Sequence, residues 1–123
     1  MSDFNFVLQY VADPAASAVF YSGFLDSPVI ESSDSFCMLP LGGGVMLGLW
    51  KQDTVEPAPE SAPGGNEIGF GVSDAAAVDA MYTDWLQRGV KMAQVPTTMD
   101  FGRTFVALDP DGHRLRVFSR PAK

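Results

Sequence analysis

One cysteine and one histidine are all this chain holds of the two side chains that most often grip transition metals or pair as nucleophile and base. A lone Cys37 excludes an intrachain disulfide and makes no thiolate metal site by itself. In an expected strand it reads as a small core residue, reactive only with a base beside it. Basic residues are scarce too: 8 Lys and Arg against 15 Asp and Glu, a net charge of −7 and a pI near 4.4. That balance argues against nucleic acid, whose phosphates need clustered cations, and against an anionic membrane surface. No apolar run is long enough to span a bilayer, and no basic segment precedes an apolar core at the start, so a cytoplasmic location is expected.

What the chain has in quantity is apolar residues, 46% of 123, enough for one domain or two half-domains. Strands are expected at 4–11, 29–32, 35–40 and 45–51, with a helix at 15–25 behind Asp13-Pro14, an N-cap followed by a first-turn proline. Ala16, Val19, Phe20 and Phe24 mark that helix's inner side. A second set follows: a strand at 67–72, a helix at 75–88 capped by Asp74 and stopped by Gly89, then strands at 91–96, 104–108 and 114–119. Asp109-Pro110-Asp111-Gly112 makes the last two a hairpin, with His113 exposed after the turn.

Sliding the chain by 61 positions superposes Val11 on Val72, Asp13 on Asp74, Tyr21 on Tyr82, Phe24 on Trp85 and Leu25 on Leu86. The order is therefore βαβββ twice, an α+β fold of two tandem units with antiparallel-rich mixed sheets: unit 1 at 1–52, an exposed linker at 53–65 and unit 2 at 66–123. A lone four-stranded unit leaves one sheet face bare. Two units are expected to pair, within one chain or in a homodimer, around a cavity.

The stretch Val11-Ala-Asp-Pro-Ala-Ala-Ser-Ala-Val-Phe-Tyr21 and the Asp109-Pro-Asp-Gly112 turn resemble the signatures of the vicinal oxygen chelate superfamily, the glyoxalase, bleomycin-resistance and dioxygenase group. The resemblance implies metal ligands on the first and last strand of each unit. Those positions fall on Phe6, Glu67, Arg116, and Gly48 or Met46. Phenylalanine, glycine and methionine do not chelate a hard divalent ion, and arginine repels one. Neither a metal nor another cofactor is expected, and no catalytic residue is assigned.

Alternation then sets the lining. With Phe6 and Glu67 inward, so are Leu8, Tyr10, Gly69, Gly71, Arg114, Arg116 and Phe118, and on the fourth strand Met46, Gly48 and Trp50. Gln9 falls on the helix side, a polar residue in an apolar row. Gly48, Gly69 and Gly71 mark either room for a flat ligand or strand curvature. Trp50, Phe6 and Phe118, with Phe36 or Phe101, would form an aromatic wall; Trp85, on a helix, reads as core. Glu67 and Arg116 should pair across adjacent strands, either offering free lobes to a ligand or simply neutralising each other. A loop at 95–102 adds Met99 and Phe101 as adaptable contacts.

The leading expectation is metal-free binding of a small planar aromatic molecule, in the manner of antibiotic-resistance binding proteins. The alternatives are a lyase or oxygenase of the same superfamily and a structural or regulatory domain.

Overall fold

The computed structural model describes residue 2 and residues 4–119; the remaining ends of the two expected units lie outside the described residues. The backbone divides between Ala62 and Pro63 into two units.

In the first unit β1 (Phe6–Val11) leads to α1 (Pro14–Leu25), then to β2 (Glu31–Ser32), β3 (Phe36–Gly42) and β4 (Val45–Lys51). The Asp13 carboxylate accepts from the N–H groups of Ala15 and Ala16 at 3.1 and 3.3 Å, satisfying donors that the first helical turn leaves orphaned. The sheet order is β1-β4-β3-β2, with β1 parallel to β4 and the other pairs antiparallel. Gly42, Gly43 and Gly44 carry the β3–β4 turn at φ of 104°, 61° and 82°, a left-handed run that residues with a Cβ adopt only at a cost.

The second unit repeats the plan: β5 (Glu67–Gly71), α2 (Ala75–Gln87), β6 (Lys91–Met99), β7 (Gly102–Leu108) and β8 (Arg114–Phe118), in the order β5-β8-β7-β6 with β5 parallel to β8. Asp74 caps α2 through a 2.8 Å bond from the Ala77 N–H. Gly89, at φ 84°, ends it in a Schellman arrangement, its N–H reaching the Leu86 carbonyl and that of Val90 the Trp85 carbonyl, both at 3.1 Å. Val90 is thereby buried with Trp85.

Each core lies between a helix and one sheet face. Trp85 meets Phe105 and Phe70 edge-on at 5.4 and 6.1 Å between centroids, and Tyr21 is fully buried beside Phe24. Cys37, Leu39, Leu47 and Leu49 in unit 1 and Ile68, Phe105, Leu115 and Val117 in unit 2 fill the helix-facing rows. Gln9 is buried in that row as well.

Four expectations need correction. The inner side of α1 is Pro14, Ser17, Ala18, Tyr21 and Phe24, not Ala16 and Val19, and Val19 is 73% exposed. A helix apolar nearly all round carries no stripe to say which side turns inward. His113 is buried, because it shares the parity of Leu115 and Val117. The exposed linker begins with a 3-10 turn, Gln52–Thr54, that tucks Val55 into the core. The loop at 95–102 is mostly strand: β6 continues to Met99, which pairs with Gly102, leaving Asp100 and Phe101 as the turn. Pro96 is tolerated because β6 is the outermost strand of its sheet and its register shifts between Gln94 and Thr97.

Candidate functional site

The face of the first sheet turned away from α1 is a grid of side chains fixed by strand register. Across β1, β4 and β3 the rows run Phe6, Met46 and Pro40, then Leu8, Gly48 and Met38, then Tyr10, Trp50 and Phe36. Gly48 is the floor. A Cβ there would lie 2.7 Å from both Leu8 Cδ2 and Phe6 Cε1, and 3.0 Å from Phe36 Cε1, so the room the glycine provides is taken by the chain's own side chains. Tyr10 meets Trp50 edge-on at 6.2 Å. Phe6 and Leu8 stay 39% and 45% exposed although both are large and apolar.

The corresponding face of the second sheet is polar at one end and aromatic at the other. Glu67 pairs in register with Arg114 and Gly69 with Arg116, so the Glu67–Arg116 contact is diagonal. It is bidentate, Arg116 Nε donating to Oε1 at 2.7 Å and Nη2 to Oε2 at 3.0 Å. Arg116 Nη1 also donates to Gln94 Oε1 at 3.3 Å and Thr104 Oγ1 at 3.2 Å, while the Thr104 hydroxyl donates to the Val117 carbonyl at 2.8 Å. Arg114 stands off, its Nε 3.7 Å from Glu67 Oε2. The hydrogen bonds from Arg116 hold the Glu67 carboxyl below the usual carboxylate range; burial opposes them, and the positive charges of Arg116 and then Arg114 add to the lowering. The same hydrogen bonds raise Arg116 further above neutrality. Phe118 lies over the glycines, its Cε1 3.3 Å from a Cβ placed at Gly69 and its Cζ 3.6 Å from one at Gly71.

The expected residues thus collect into two groups: Phe6, Leu8, Met46, Gly48 and Trp50 on one sheet, Glu67, Arg116 and Phe118 on the other. Met99 joins the second group, its sulfur accepting from Gln94 Nε2 at 3.6 Å, while Phe101 sits at the exposed tip of the β6–β7 turn. Gln94 and Thr104, which hold Arg116, and Met38, which flanks Gly48, were missing from the expected lining. Thr104 lies opposite Phe118 and so shares its face, which alternation alone could have found; nothing marks Gln94, because the shift in β6 breaks the alternation.

These positions do not fit a divalent metal. Phe6 and Gly48 offer no donor, Arg116 is a cation, and both carboxylate oxygens of Glu67 are engaged by Arg116. Among the described residues no group of three His, Cys, Asp or Glu side chains is placed to hold one.

Residues 3–117 match the Glyoxalase/Bleomycin resistance protein/Dioxygenase superfamily. The chain belongs to that superfamily. It is 29% identical over 116 residues to the phenazine antibiotic resistance protein EhpR of Enterobacter agglomerans, a match covering 92% of this chain and 88% of the relative. A solution NMR structure of a protein from Agrobacterium tumefaciens is 43% identical, covers 99% of this chain and 100% of its own, and superposes with a TM-score of 0.89. A glyoxalase-related enzyme from Fulvimarina pelagi shares the fold at a TM-score of 0.82 with 20% identity, over 98% of this chain and 90% of its own. No helix among the described residues is long and apolar enough to cross a membrane.

Proposed function

We propose that this protein binds and sequesters a small planar aromatic molecule, a phenazine or a similarly flat antibiotic, without a metal and without transforming it. The observation that carries the reading is the Phe6, Leu8, Met38, Met46 and Trp50 face over Gly48, an apolar and aromatic surface left partly exposed on the side away from α1. Such a surface is costly to leave in water and suits a flat apolar ring, which gains from area burial and from stacking. On the second sheet the Glu67–Arg116 pair is suited to holding polar groups rather than transferring protons, since each partner holds the other ionised. The phenazine-resistance relative supports the ligand class. The working form is proposed to be a cytoplasmic homodimer.

The test is a titration of the purified protein with phenazine, following tryptophan emission, with native mass spectrometry for subunit count and chromatography of the recovered ligand. Saturable quenching, an intact ligand and a dimeric mass are the expected results. Absence of saturable binding overturns the binding reading. Conversion of the ligand, with or without added zinc, nickel or manganese, would replace it with an enzymatic one.

A further inference from the structure

Although the protein is acidic overall, the second sheet's face turned away from α2 is not. Strand register places Glu67, Arg114, Leu108 and Lys91 in one row and Gly69, Arg116, Val106 and Gln94 in the next. Among the described residues, three basic side chains thus share that face with one carboxylate. The carboxylate is already spent, gripped on both oxygens by Arg116. The nearby Asp109 carboxylate is turned to the backbone, accepting from the N–H groups of Asp111 and His113 at 2.8 and 2.9 Å.

The two arginines are in different states. Arg116 uses Nε, Nη1 and Nη2 on Glu67, Gln94 and Thr104, which fixes its guanidinium plane. Arg114 is two positions away, roughly 6 to 7 Å along the strand. Its side chain is 40% exposed, and its 3.7 Å approach to Glu67 is beyond hydrogen-bond length. Among the described residues its guanidinium makes no side-chain hydrogen bond, so its donors remain available on the face turned away from α2.

We propose that this face selects an anionic ligand, a flat aromatic ring bearing a carboxylate, with Arg114 taking the carboxylate and the locked Arg116 plane supporting the ring. The inference rests on the binding reading above and narrows its ligand class. A planar carboxylate matches the guanidinium fork with two parallel hydrogen bonds, and rings stack on a guanidinium face. A cationic ligand has no carboxylate to meet here, because Glu67 is occupied. At longer range the protein's net charge of −7 repels an anion, but salt screens that field beyond about 8 Å while contact with Arg114 is screened less.

The experiment compares phenazine-1-carboxylate with phenazine-1-carboxamide at pH 7, two ligands of the same ring and nearly the same shape. The wild type is expected to bind the carboxylate at least tenfold more tightly, and added salt should erode that preference. Arg114→Met should reduce carboxylate affinity at least tenfold more than carboxamide affinity, with Arg114→Lys restoring part of the difference. Circular dichroism melts of each variant report the fold. Equal affinity of the wild type for the two ligands overturns the anion selectivity and leaves the binding reading standing. A preference that survives in folded Arg114→Met overturns the assignment to Arg114. Failure of both ligands to bind the wild type overturns the binding reading and this inference with it.

Discussion

Arg116 reaches diagonally from β8 to grip Glu67 on the parallel strand beside it, 2.7 Å from Nε to Oε1 and 3.0 Å from Nη2 to Oε2. The same positions in the first unit hold Gly48 and Phe6, which also meet on the diagonal, Phe6 Cε1 lying 2.7 Å from the place a Cβ would occupy. One unit joins the two strands there with a charged fork, the other with a ring seated on a glycine.

The pair gives stability a pH dependence whose sign follows from Glu67. Its folded pKa lies below the ordinary carboxylate value of about 4.5. Its contribution is therefore complete above the unfolded-state pKa and is lost as pH falls through the lowered folded value. Urea midpoints at pH 7 and in steps below pH 4.5 should fall more steeply for wild type than for Glu67→Gln. At pH 7 the variant should lose about 1 to 2 kcal/mol, between the values of exposed and buried pairs. Parallel pH profiles of the two proteins would show that the pair contributes nothing.

Gly48→Ala tests the floor of the first face. The new methyl meets only side-chain tips, and two of the three belong to partly exposed residues, so the fold should survive at a cost of about 1 kcal/mol. Phe6 and Leu8 must move, and phenazine affinity should fall about tenfold. Calorimetric titration beside a thermal melt separates the two effects; unchanged affinity would place the ligand elsewhere.

The two tryptophans should behave oppositely. Trp50 lies half-buried on the face turned away from α1, and Trp50→Ala should cost roughly tenfold or more in phenazine affinity, through lost stacking and lost area, with a modest change in melting. Trp85 is sealed between Phe70 and Phe105, and Trp85→Ala should lose about 3 to 5 kcal/mol of stability in urea unfolding.

Asp109 accepts two backbone N–H groups inside its own turn and is itself buried. Asp109→Ala leaves both donors without that partner and should cost about 1 to 3 kcal/mol. Asp109→Asn, which retains an acceptor oxygen, should recover most of it in the same denaturation assay.

Much of this architecture was legible in the residues because strands alternate with period two. The parity that put Phe6, Leu8, Met46, Gly48 and Trp50 on one face, and Glu67 and Arg116 on the other sheet's equivalent, needs only one correct register per strand. The halves superposed because Asp13 and Asp74 do the same capping work. What stayed hidden lacked a period. The core side of α1 is not written in a helix whose exposed positions include Ala15, Ala16 and Val19. Pro96 reads as a strand's end, whereas on an outer strand it sits at a register shift, so Gln94 could not be assigned a side. His113 looked like turn residue rather than strand entry, yet its parity with Leu115 was already there to count.

The broken register of β6 bears on how the protein keeps to itself. An outermost strand of nine residues, with Val95 60% exposed and Met99 44%, presents a backbone edge and apolar side chains together, the combination that recruits a neighbouring chain into a growing sheet. Pro96 removes one donor, and the shifts on either side of Gln94 put the remaining ones out of step with any straight partner. Straightening this strand, by Pro96→Val for example, would turn a harmless rim into a nucleus for aggregation.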